Sequence, residues 1–364
     1  MNNSKKTGDL SIIDQMKKFA VKSMLGFQTV LVYGLGRRLA IFDYLNEKGK
    51  RSSKPDEVSS VTFTLNELSQ ELNLDSTYLD SWIHMGIECG IFERDDSSNQ
   101  SVKTGPYVYY ILVDRENMFY MGDVLGGFYY QALAQETLLT NFKTGEMQSP
   151  TDFSTEIRKD TQRMSALMGK QVEKLFVQEY RDQAMNLKEG GALLEVGCGF
   201  GFNLKHWAQQ YPKSTMIGID IDSEAVEYAK QMAKENNWTD RINFFATELS
   251  EYAEAHKEEF DVVVLNQVLH EMDPSENYRK QVLKDLYSTL NDNGLLIVGE
   301  SMIPGIFAPK QARYVEVMHK WFEVMIGSRF YDEDSFRKLV RLTPFETAEL
   351  VQEDRDYFWA LSKS

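Results

Sequence analysis

The chain has 364 residues, of which 42% are hydrophobic, so it is long enough for two domains and a sizeable core. Its formal net charge of -15 at pH 7 argues against a bulk electrostatic attraction to nucleic acid or to anionic lipid. Two distant cysteines, Cys89 and Cys198, an N-terminus without an apolar signal segment, and an early apolar stretch too short to span a bilayer predict a cytoplasmic protein that does not bind membranes.

Residues 1–150 are predicted to form a mainly helical domain. Apolar residues recur at helical spacing over residues 11–47. Two further helices follow, separated by a turn at Asn73–Asp75, and "GIFERD" then predicts a short strand. After a turn tip, "SSNQSVKTG", the segment "PYVYYILV" is predicted to return as the second strand of a hairpin. Helix–turn–helix followed by a hairpin is typical of a winged-helix domain.

The charge of this domain argues against a role in DNA binding. Residues 51–105 contain ten acidic and four basic side chains, which is the wrong balance for contacts to phosphate. We therefore expect a packing or dimerisation module, a homodimer formed through this domain, and no nucleic-acid partner.

Residues 151–185 are predicted to form a linking helix that contributes to the active site, and residues 186–364 form a domain of a different class. Apolar strands there alternate with amphipathic helices, which predicts an α/β fold with a mostly parallel sheet. The predicted strands are "ALLEVG", "TMIGID", "INFFAT", "FDVVVLN" and "GLLIVGE". The last twenty residues predict a hairpin at the edge of the sheet.

A glycine-rich loop follows the first of these strands. In "LLEVGCGFGFN" the glycines Gly197, Gly199 and Gly201 permit a tight turn and a close approach of a ligand to the backbone. The spacing is GxGxG and not the GxGxxG of dinucleotide binding. Glu195, on the strand before the loop, would repel a pyrophosphate but would suit a cationic ligand such as a sulfonium or an ammonium group.

Acidic residues also mark the ends of the next two strands. Asp220 lies 19 positions after Gly201, close to the spacing of an acid that binds ribose hydroxyls. Glu248 ends the third strand, where it could accept a hydrogen bond from an exocyclic amine. Each acid alone could be a helix cap or a surface carboxylate, but together they line one crevice.

With these motifs the sequence resembles the class I S-adenosylmethionine-dependent methyltransferases. "LLEVGCGFG" matches their first motif and "GID" their second-strand acid. The resemblance implies a Rossmann-like, mostly parallel sheet of seven strands, with S-adenosylmethionine as cofactor and S-adenosylhomocysteine as product. The cofactor-binding residues that it implies are Glu195, Gly197, Gly199, Gly201, Asp220, Ile221, Glu248, Leu249 and Asn266.

The fourth strand ends in "NQVLHEMD", which introduces a candidate general base. His270 follows Asn266 by one turn, and an imidazole near neutral pH can take the proton of an attacking hydroxyl. Glu300, at the end of the fifth strand, is the preferred partner to orient it, and Glu271 either assists or begins the next helix. A histidine at this place could equally cap a helix.

A wider resemblance covers nearly the whole chain. "VLHEMDPSENYRKQVLKDLYSTLNDNGLLIVGESMIP" is similar to a segment of the plant- and bacterial-type small-molecule O-methyltransferases, which have an N-terminal winged-helix dimerisation domain. The chain departs from that family where Met272 replaces an aromatic residue, and where Arg329 or Phe330 stands in place of a further acid. The absence of that acid leaves room for catalysis by proximity alone.

The acceptor is expected to be small and either aromatic or apolar, because aromatic residues crowd the middle of the chain. No metal site is predicted, since His256, His270 and His319 show no recognisable ligand spacing. The residues predicted to line the substrate pocket are Met164, Met168, Trp321, Phe322 and Met325.

Three alternatives to a small-molecule O-methyltransferase remain open at this point. The same scaffold could methylate nitrogen, carbon or sulfur. The chain could instead be a non-catalytic regulator that binds S-adenosylmethionine and reads DNA through its winged helix. A nicotinamide-dependent dehydrogenase is the third.

Overall fold

The computed structural model divides the chain into two compact units, Met1–Gln135 and Glu136–Ser364. The division lies ahead of the predicted boundary at residue 150, because the helix that begins at Gln135 packs with the later residues. The residues that the structure describes are 11–51, 59–95, 100–117, 119–309, 313–353 and 356–363.

The first unit is mainly helical, as the sequence predicts. Its helices are α1 (Ile12–Met16), α2 (Ser23–Arg38), α3 (Ile41–Lys50), α4 (Leu65–Glu71), α5 (Ser76–Glu88) and α6 (Gly122–Leu133), with π-helical segments at Lys17–Lys22 and Tyr109–Val113. Its strands are β1 (Thr62–Thr64), β2 (Phe92–Arg94) and β3 (Ser101–Thr104), which form an antiparallel sheet of order β1-β3-β2.

The winged-helix order is present, but its second hairpin strand lies earlier than predicted. Helix α5 begins where the sequence predicts, because the Asp75 carboxylate accepts hydrogen bonds from the amides of Thr77 and Tyr78. The returning strand is β3, within the segment predicted as the turn tip, whose residues 96–99 lie outside the described part of the chain. "PYVYYILV" is helical and not a strand: it contributes Tyr109, Leu112 and Val113 to the core of this unit.

The N-terminal helical segments form one continuous run, Ile12–Arg38. With 27 residues and a mean hydropathy of 1.2 it could cross a membrane by length and composition, whereas the sequence predicts a stretch too short to do so. Of the most apolar window, 22% is buried within the chain. Core helices and signal sequences meet the same criterion, so this is weak evidence and the location of the protein stays a prediction.

The second unit has the predicted alternation of strands and helices. Its helices are α7 (Gln135–Thr144), α8 (Thr155–Glu179), α9 (Arg181–Glu189), α10 (Phe202–Gln210), α11 (Ser223–Glu235), α12 (Leu249–Ala255), α13 (Glu276–Thr289), α14 (Tyr314–Phe322) and α15 (Glu333–Val340), with 3₁₀ turns at Pro150–Asp152 and Glu323–Ile326. Its strands are β4 (Ala192–Val196), β5 (Thr215–Asp220), β6 (Ile242–Ala246), β7 (Phe260–Asn266), β8 (Leu290–Gly299), β9 (Glu349–Glu353) and β10 (Asp356–Ser362).

These strands form one seven-stranded sheet of order β6-β5-β4-β7-β8-β10-β9. Strands β4 to β8 pair in parallel, and the C-terminal hairpin β9–β10 adds two antiparallel strands at one edge. Both faces are covered: along β7, Val262 and Val264 belong to one apolar cluster and Val263 and Leu265 to the other. The strand order reverses between β4 and β7, and ligands bind such sheets at the carboxyl ends beside the reversal.

Candidate active site

The glycine loop lies at this reversal, between β4 and α10. Gly197, Gly199 and Gly201 all have positive φ angles, of 72°, 45° and 76°. A side chain at two of these positions would also collide with its neighbours. A Cβ atom on Gly199 would lie 1.7 Å from Nε2 of Gln162, and one on Gly197 would lie 2.5 Å from the Val268 side chain. Only glycine meets both conditions at these positions.

Asp220 ties the end of β5 to this loop. Its Oδ2 accepts a hydrogen bond from the Gly199 amide at 2.7 Å, and its Oδ1 accepts one from the Asp222 amide at 2.8 Å. It is not the cap of the next helix, because Asp222 caps α11 by accepting from the amides of Glu224 and Ala225. Burial raises the pKa of the Asp220 carboxyl and outweighs these hydrogen bonds, which lower it.

Glu195 is the acid within an apolar strand, and its hydrogen bonds come from Asn203 and from the backbone of Leu204. Its Oε1 accepts a hydrogen bond of 2.7 Å from the Asn203 side chain, whereas the buried Oε2 has no well-aligned partner among the described residues. Burial raises the pKa of Glu195 to about 8. The hydrogen bond from Asn203 lowers this pKa, whereas the negative charge of Asp220 raises it. A buried carboxylate oxygen without a partner suits a positively charged group of a ligand.

Helix α8 lies over the loop and the end of β7, through contacts that the sequence analysis missed. Gln162 donates to the Cys198 carbonyl at 3.3 Å and accepts from the Phe200 amide at 2.6 Å. The Asn266 side chain donates to the Ser165 carbonyl at 3.2 Å, while its Oδ1 is buried without a partner in the described residues. Nothing in the pattern of an amphipathic helix marks a glutamine for such a contact.

The end of β6 is less closely defined. Glu248 is exposed and stands at the N-terminus of α12 without a side-chain hydrogen bond to that helix, and the next residue, Leu249, is buried. Ile221, after β5, is exposed. The roles of these three residues in binding a cofactor stay predictions.

Taken together, these groups fit the cofactor that the resemblance implies. Glu195 and Asn266 each keep one buried oxygen without an aligned hydrogen bond among the described residues, and the glycines adopt the positive φ angles of the tight loop beside them. Asp220 has two oxygens that each accept one backbone hydrogen bond, which leaves further lone pairs. We expect these residues to hold the amino-acid part and the ribose of S-adenosylmethionine.

His270 is buried at the end of β7, with an exposed fraction of 1%. Its Nδ1 lies 2.6 Å from Oε2 of Glu300, and the other oxygen of Glu300 accepts hydrogen bonds from the amides of Val268 and Leu269. Because the carboxylate only accepts, Nδ1 of His270 carries a hydrogen. The predicted pairing of these two residues is therefore present in the fold.

The further acid that the sequence analysis found missing is supplied by Glu323. Its Oε2 lies 2.8 Å from Nε2 of His270, so the two residues form a buried ion pair. Glu271, whose side chain is 37% exposed, lies farther away, at 4.0 Å from Nε2. At the place where the acid was sought, Phe330 instead stacks on the imidazole at 4.4 Å between ring centres.

These charges control the protonation of the site. Burial alone would lower the pKa of His270, but the carboxylates of Glu300 and Glu323 outweigh burial and raise it well above its ordinary value. Burial likewise opposes ionisation of Glu323, and His270 and His319 outweigh it, so its pKa is lowered. Burial and the charge of Glu323 raise the pKa of Glu271, an effect that solvent at its exposed side moderates.

A buried arginine holds the segment around His270 in place. Arg279 donates to the carbonyl oxygens of His270, Met272, Asp273 and Arg329. The sequence analysis did not identify it, because a basic residue in an amphipathic helix ordinarily faces solvent.

The predicted pocket residues lie on two segments that contact these groups. Met164 and Met168 flank Ser165 on α8, which meets Asn266. Trp321 and Phe322 precede Glu323, and Met325 follows it; of these, Met325 is buried and Trp321 is 46% exposed. Their role in substrate binding stays a prediction.

The sequence analysis predicted no metal site because its three histidines show no ligand spacing, and the structure corrects that premise for two of them. His256 lies apart, paired with Glu259, but His270 and His319 come together with Glu323 through the fold. His319 and Glu323 are four residues apart at the end of α14, but no sequence spacing links them to His270, which lies on the turn after β7.

Comparisons with known proteins agree with this architecture. Residues 194–296 match a model of a methyltransferase domain. The chain is 25% identical over 161 residues to the malonyl-[acyl-carrier protein] O-methyltransferase of Bacillus cereus, covering 43% of this chain and 55% of that protein. It is 33% identical over 145 residues to the ribosomal protein L11 methyltransferase of Dictyoglomus thermophilum, covering 38% and 44%. The chain thus spans about half the length, or less, of the curated relatives that it matches.

Solved structures with the same fold cover almost the whole chain. Mitomycin 7-O-methyltransferase MmcR matches with a TM-score of 0.68 at 13% identity, over 96% of this chain and 98% of that one. Human N-acetylserotonin methyltransferase, solved in complex with S-adenosylmethionine, matches with a TM-score of 0.68 at 14% identity, over 100% and 99%. At such low identity these likenesses establish the fold.

Proposed function

We infer that this chain, which contains a methyltransferase domain, is a class I S-adenosylmethionine-dependent methyltransferase that methylates a small molecule and transfers the methyl group to oxygen. The observation that carries the inference is the position of the His270–Glu300 pair. Val268 touches Gly197 of the glycine loop, so the imidazole two residues later stands beside the crevice that suits the cofactor. A base next to the methyl donor is what transfer to a hydroxyl requires.

Each group then has a task in the reaction. S-adenosylmethionine supplies, when bound, an electrophilic methyl group on a positively charged sulfur. Glu195 and Asp220 hold it in the crevice. The neutral form of His270 takes the proton of the acceptor hydroxyl, and Glu300 holds the ring by its Nδ1 hydrogen. The neutral form becomes more abundant as the pH rises, and because neighbouring carboxylates raise the pKa of His270, it needs a higher pH than an ordinary imidazole does.

A second candidate function has an observation in its favour. Glu323 lies against Nε2 of His270, the nitrogen that would receive the proton. If Glu323 keeps that place with substrate bound, transfer would proceed by alignment alone, and the acceptor would be a nitrogen, carbon or sulfur that needs no base.

The acceptor is proposed to be small and aromatic or apolar, on the strength of the apolar side chains around Glu323 and on α8. The homodimer is also a proposal. It is supported by apolar residues that the first unit leaves exposed, including Phe19, Met24 and Phe27. The molar mass of the chain in solution, measured by light scattering, tests it.

The function is tested with labelled S-adenosylmethionine and a panel of small phenols, amines and thiols, in buffer with a chelator. We expect labelled product from a phenol, at a rate that rises with pH. Replacing His270 with Ala should lower the rate by about 100-fold or more, the usual share of a general base. A loss of less than about tenfold would favour transfer by alignment.

Two controls keep this result interpretable. His256→Ala removes a partly exposed histidine that also faces a carboxylate, and should leave the rate unchanged. The affinity for S-adenosylhomocysteine, measured by calorimetry, should be retained in His270→Ala if the variant is folded. No binding of S-adenosylhomocysteine by the unaltered chain would refute the proposed function itself.

A further inference from the structure

We propose that His270, His319 and Glu323 form a binding site for a divalent transition-metal ion. The three side chains each offer one ligand atom, and these atoms all lie within 4.8 Å of one another. Two imidazole nitrogens and one carboxylate oxygen are a ligand set that binds zinc in proteins and leaves a coordination position open.

Glu323 stands between the two histidines. Its Oε1 lies 2.9 Å from Nε2 of His319, and its Oε2 lies 2.8 Å from Nε2 of His270. The two imidazole rings are nearly perpendicular, at 86°, with 4.9 Å between their centres. The carboxylate therefore already lies close to both nitrogens that would bind the ion.

The outer nitrogen of each ring is held by a residue at the end of β8. Nδ1 of His270 donates to Glu300, as shown above, and Nδ1 of His319 lies 3.1 Å from Oγ of Ser301. Hydrogen bonds of this kind orient the histidine ligands of metal ions and direct the Nε2 lone pairs inward. Here two neighbouring residues, Glu300 and Ser301, orient both rings toward the same point.

Two atoms at that point already pair with each other. Nε2 of His270 and Oε2 of Glu323 form an ion pair at 2.8 Å, and the two residues are 1% and 6% exposed. A metal ion that replaced the proton between them would bind both atoms at once.

The charge of the cluster favours the same conclusion. Glu300 and Glu323 bring two carboxylates into a buried region, and a doubly charged cation would balance them. Imidazole ligands favour zinc and its neighbours in the first transition row over magnesium and calcium, which prefer oxygen. Bonds of about 2.0–2.2 Å to such an ion place tetrahedral ligand atoms about 3.3 Å apart, so only small movements of these side chains are needed.

The metal and the acceptor proton would compete for the same atom. Because Nε2 of His270 cannot bind an ion and take a proton at once, metal-loaded protein would not use His270 as the base. The proposed site does not depend on the proposed function, since its evidence is the cluster itself.

The test is a titration of Zn²⁺ alone into the full chain, free of any purification tag and first stripped with a chelator. We expect one ion per chain, measured by calorimetry. His319→Ala and Glu323→Gln should each weaken binding by about 100-fold or more, and Ser301→Ala by about tenfold, the lower range for a residue that orients a ligand. The matched control is His256→Ala, which removes another histidine–glutamate pair and should bind as the unaltered chain does.

A second measurement needs no variant. X-ray absorption of the zinc-loaded chain should show two imidazole ligands at about 2.0–2.1 Å. Failure to bind one equivalent, a shell that contains sulfur, or an equal loss of affinity in His256→Ala would overturn the proposal. Titration with S-adenosylhomocysteine separates the two proposals, because a chain that binds the nucleoside but not zinc refutes only the metal site.

Discussion

Replacing Glu300 with Gln tests the buried pair most directly. The carboxylate makes three hydrogen bonds, to Nδ1 of His270 and to the amides of Val268 and Leu269. A carboxamide keeps one accepting oxygen and turns the other into a donor. If its NH₂ group faces the two backbone amides, two hydrogen bonds are lost, whereas if it faces Nδ1 of His270, only the charge-assisted bond to the imidazole is lost.

The size of the loss depends on the charge of the imidazole. Hydrogen bonds to charged groups contribute about 1.5–3 kcal/mol, so we expect the free energy of unfolding to fall by about that amount while His270 is protonated. Once His270 is neutral, its Nδ1 can accept from the NH₂ group and its Nε2 can carry the hydrogen toward Glu323. The replacement should then cost much less.

The direction of the pH dependence follows from the raised pKa of His270. A group whose pKa is higher in the folded than in the unfolded chain stabilises the fold fully below its unfolded pKa, about 6.5 for histidine. That contribution is lost as the pH rises through the folded pKa. The difference between Glu300→Gln and the unaltered chain should therefore be largest at about pH 6 and shrink only as the pH rises through the folded pKa of His270.

The assay is urea unfolding at both pH values, with a chelator present, followed by circular dichroism and by tryptophan fluorescence. Glu316→Gln is the matched control, since Glu316 is buried to a similar degree but pairs with Arg313 and Tyr357. Arginine keeps its charge, and burial holds the pKa of Tyr357 well above its ordinary value, so this control should lose the same stability at both pH values. A larger loss at about pH 9 than at about pH 6 for Glu300→Gln would refute the pairing with a charged imidazole.

Two further predictions concern the glycine loop. Asp220→Asn should weaken the binding of S-adenosylhomocysteine in calorimetry by about 10- to 100-fold, the equivalent of one charge-assisted hydrogen bond. The control, Asp240→Asn, changes an exposed acid and should bind as the unaltered chain does. Affinities of the two variants within about twofold of each other would contradict the role of Asp220. Gly199→Ala should also weaken this binding, because its Cβ would collide with Gln162 at a positive φ of 45°, and shortening Gln162 to Ala in the same chain should restore part of the affinity. Equal affinities for Gly199→Ala and the unaltered chain would show that Gln162 moves aside without cost.

Much of the fold can be predicted from the sequence, because the patterns that indicate it involve residues close together in the chain. The short apolar runs of the strands, the glycines of the loop after "LLEV" and the cap at Asp75 are each properties of a few neighbouring residues. The order of strands and helices then fixes a mostly parallel sheet, and the parallel strands bring Glu195, Asp220 and His270 to one edge. These predictions needed no knowledge of which side chains pack together.

Local signals fail where a segment is apolar without a clear period. "PYVYYILV" reads equally as a buried strand and as a buried helical turn. The structure makes it helical, with Tyr107 at a positive φ of 62° before the turn and Tyr109, Leu112 and Val113 in the core. Packing of the first unit made that choice, since the strand that pairs with β2 is formed by residues 101–104.

The sequence alone thus determined the class of fold, the glycine loop and the acids at the strand ends. Only the tertiary structure decided that Glu323 and His319 meet His270, that Gln162 covers the loop and that Asn203 pairs with Glu195. The physical reason is distance along the chain. Backbone conformation depends on neighbouring residues, whereas the partners of a buried charge come from elements that only the packing of the whole unit brings together.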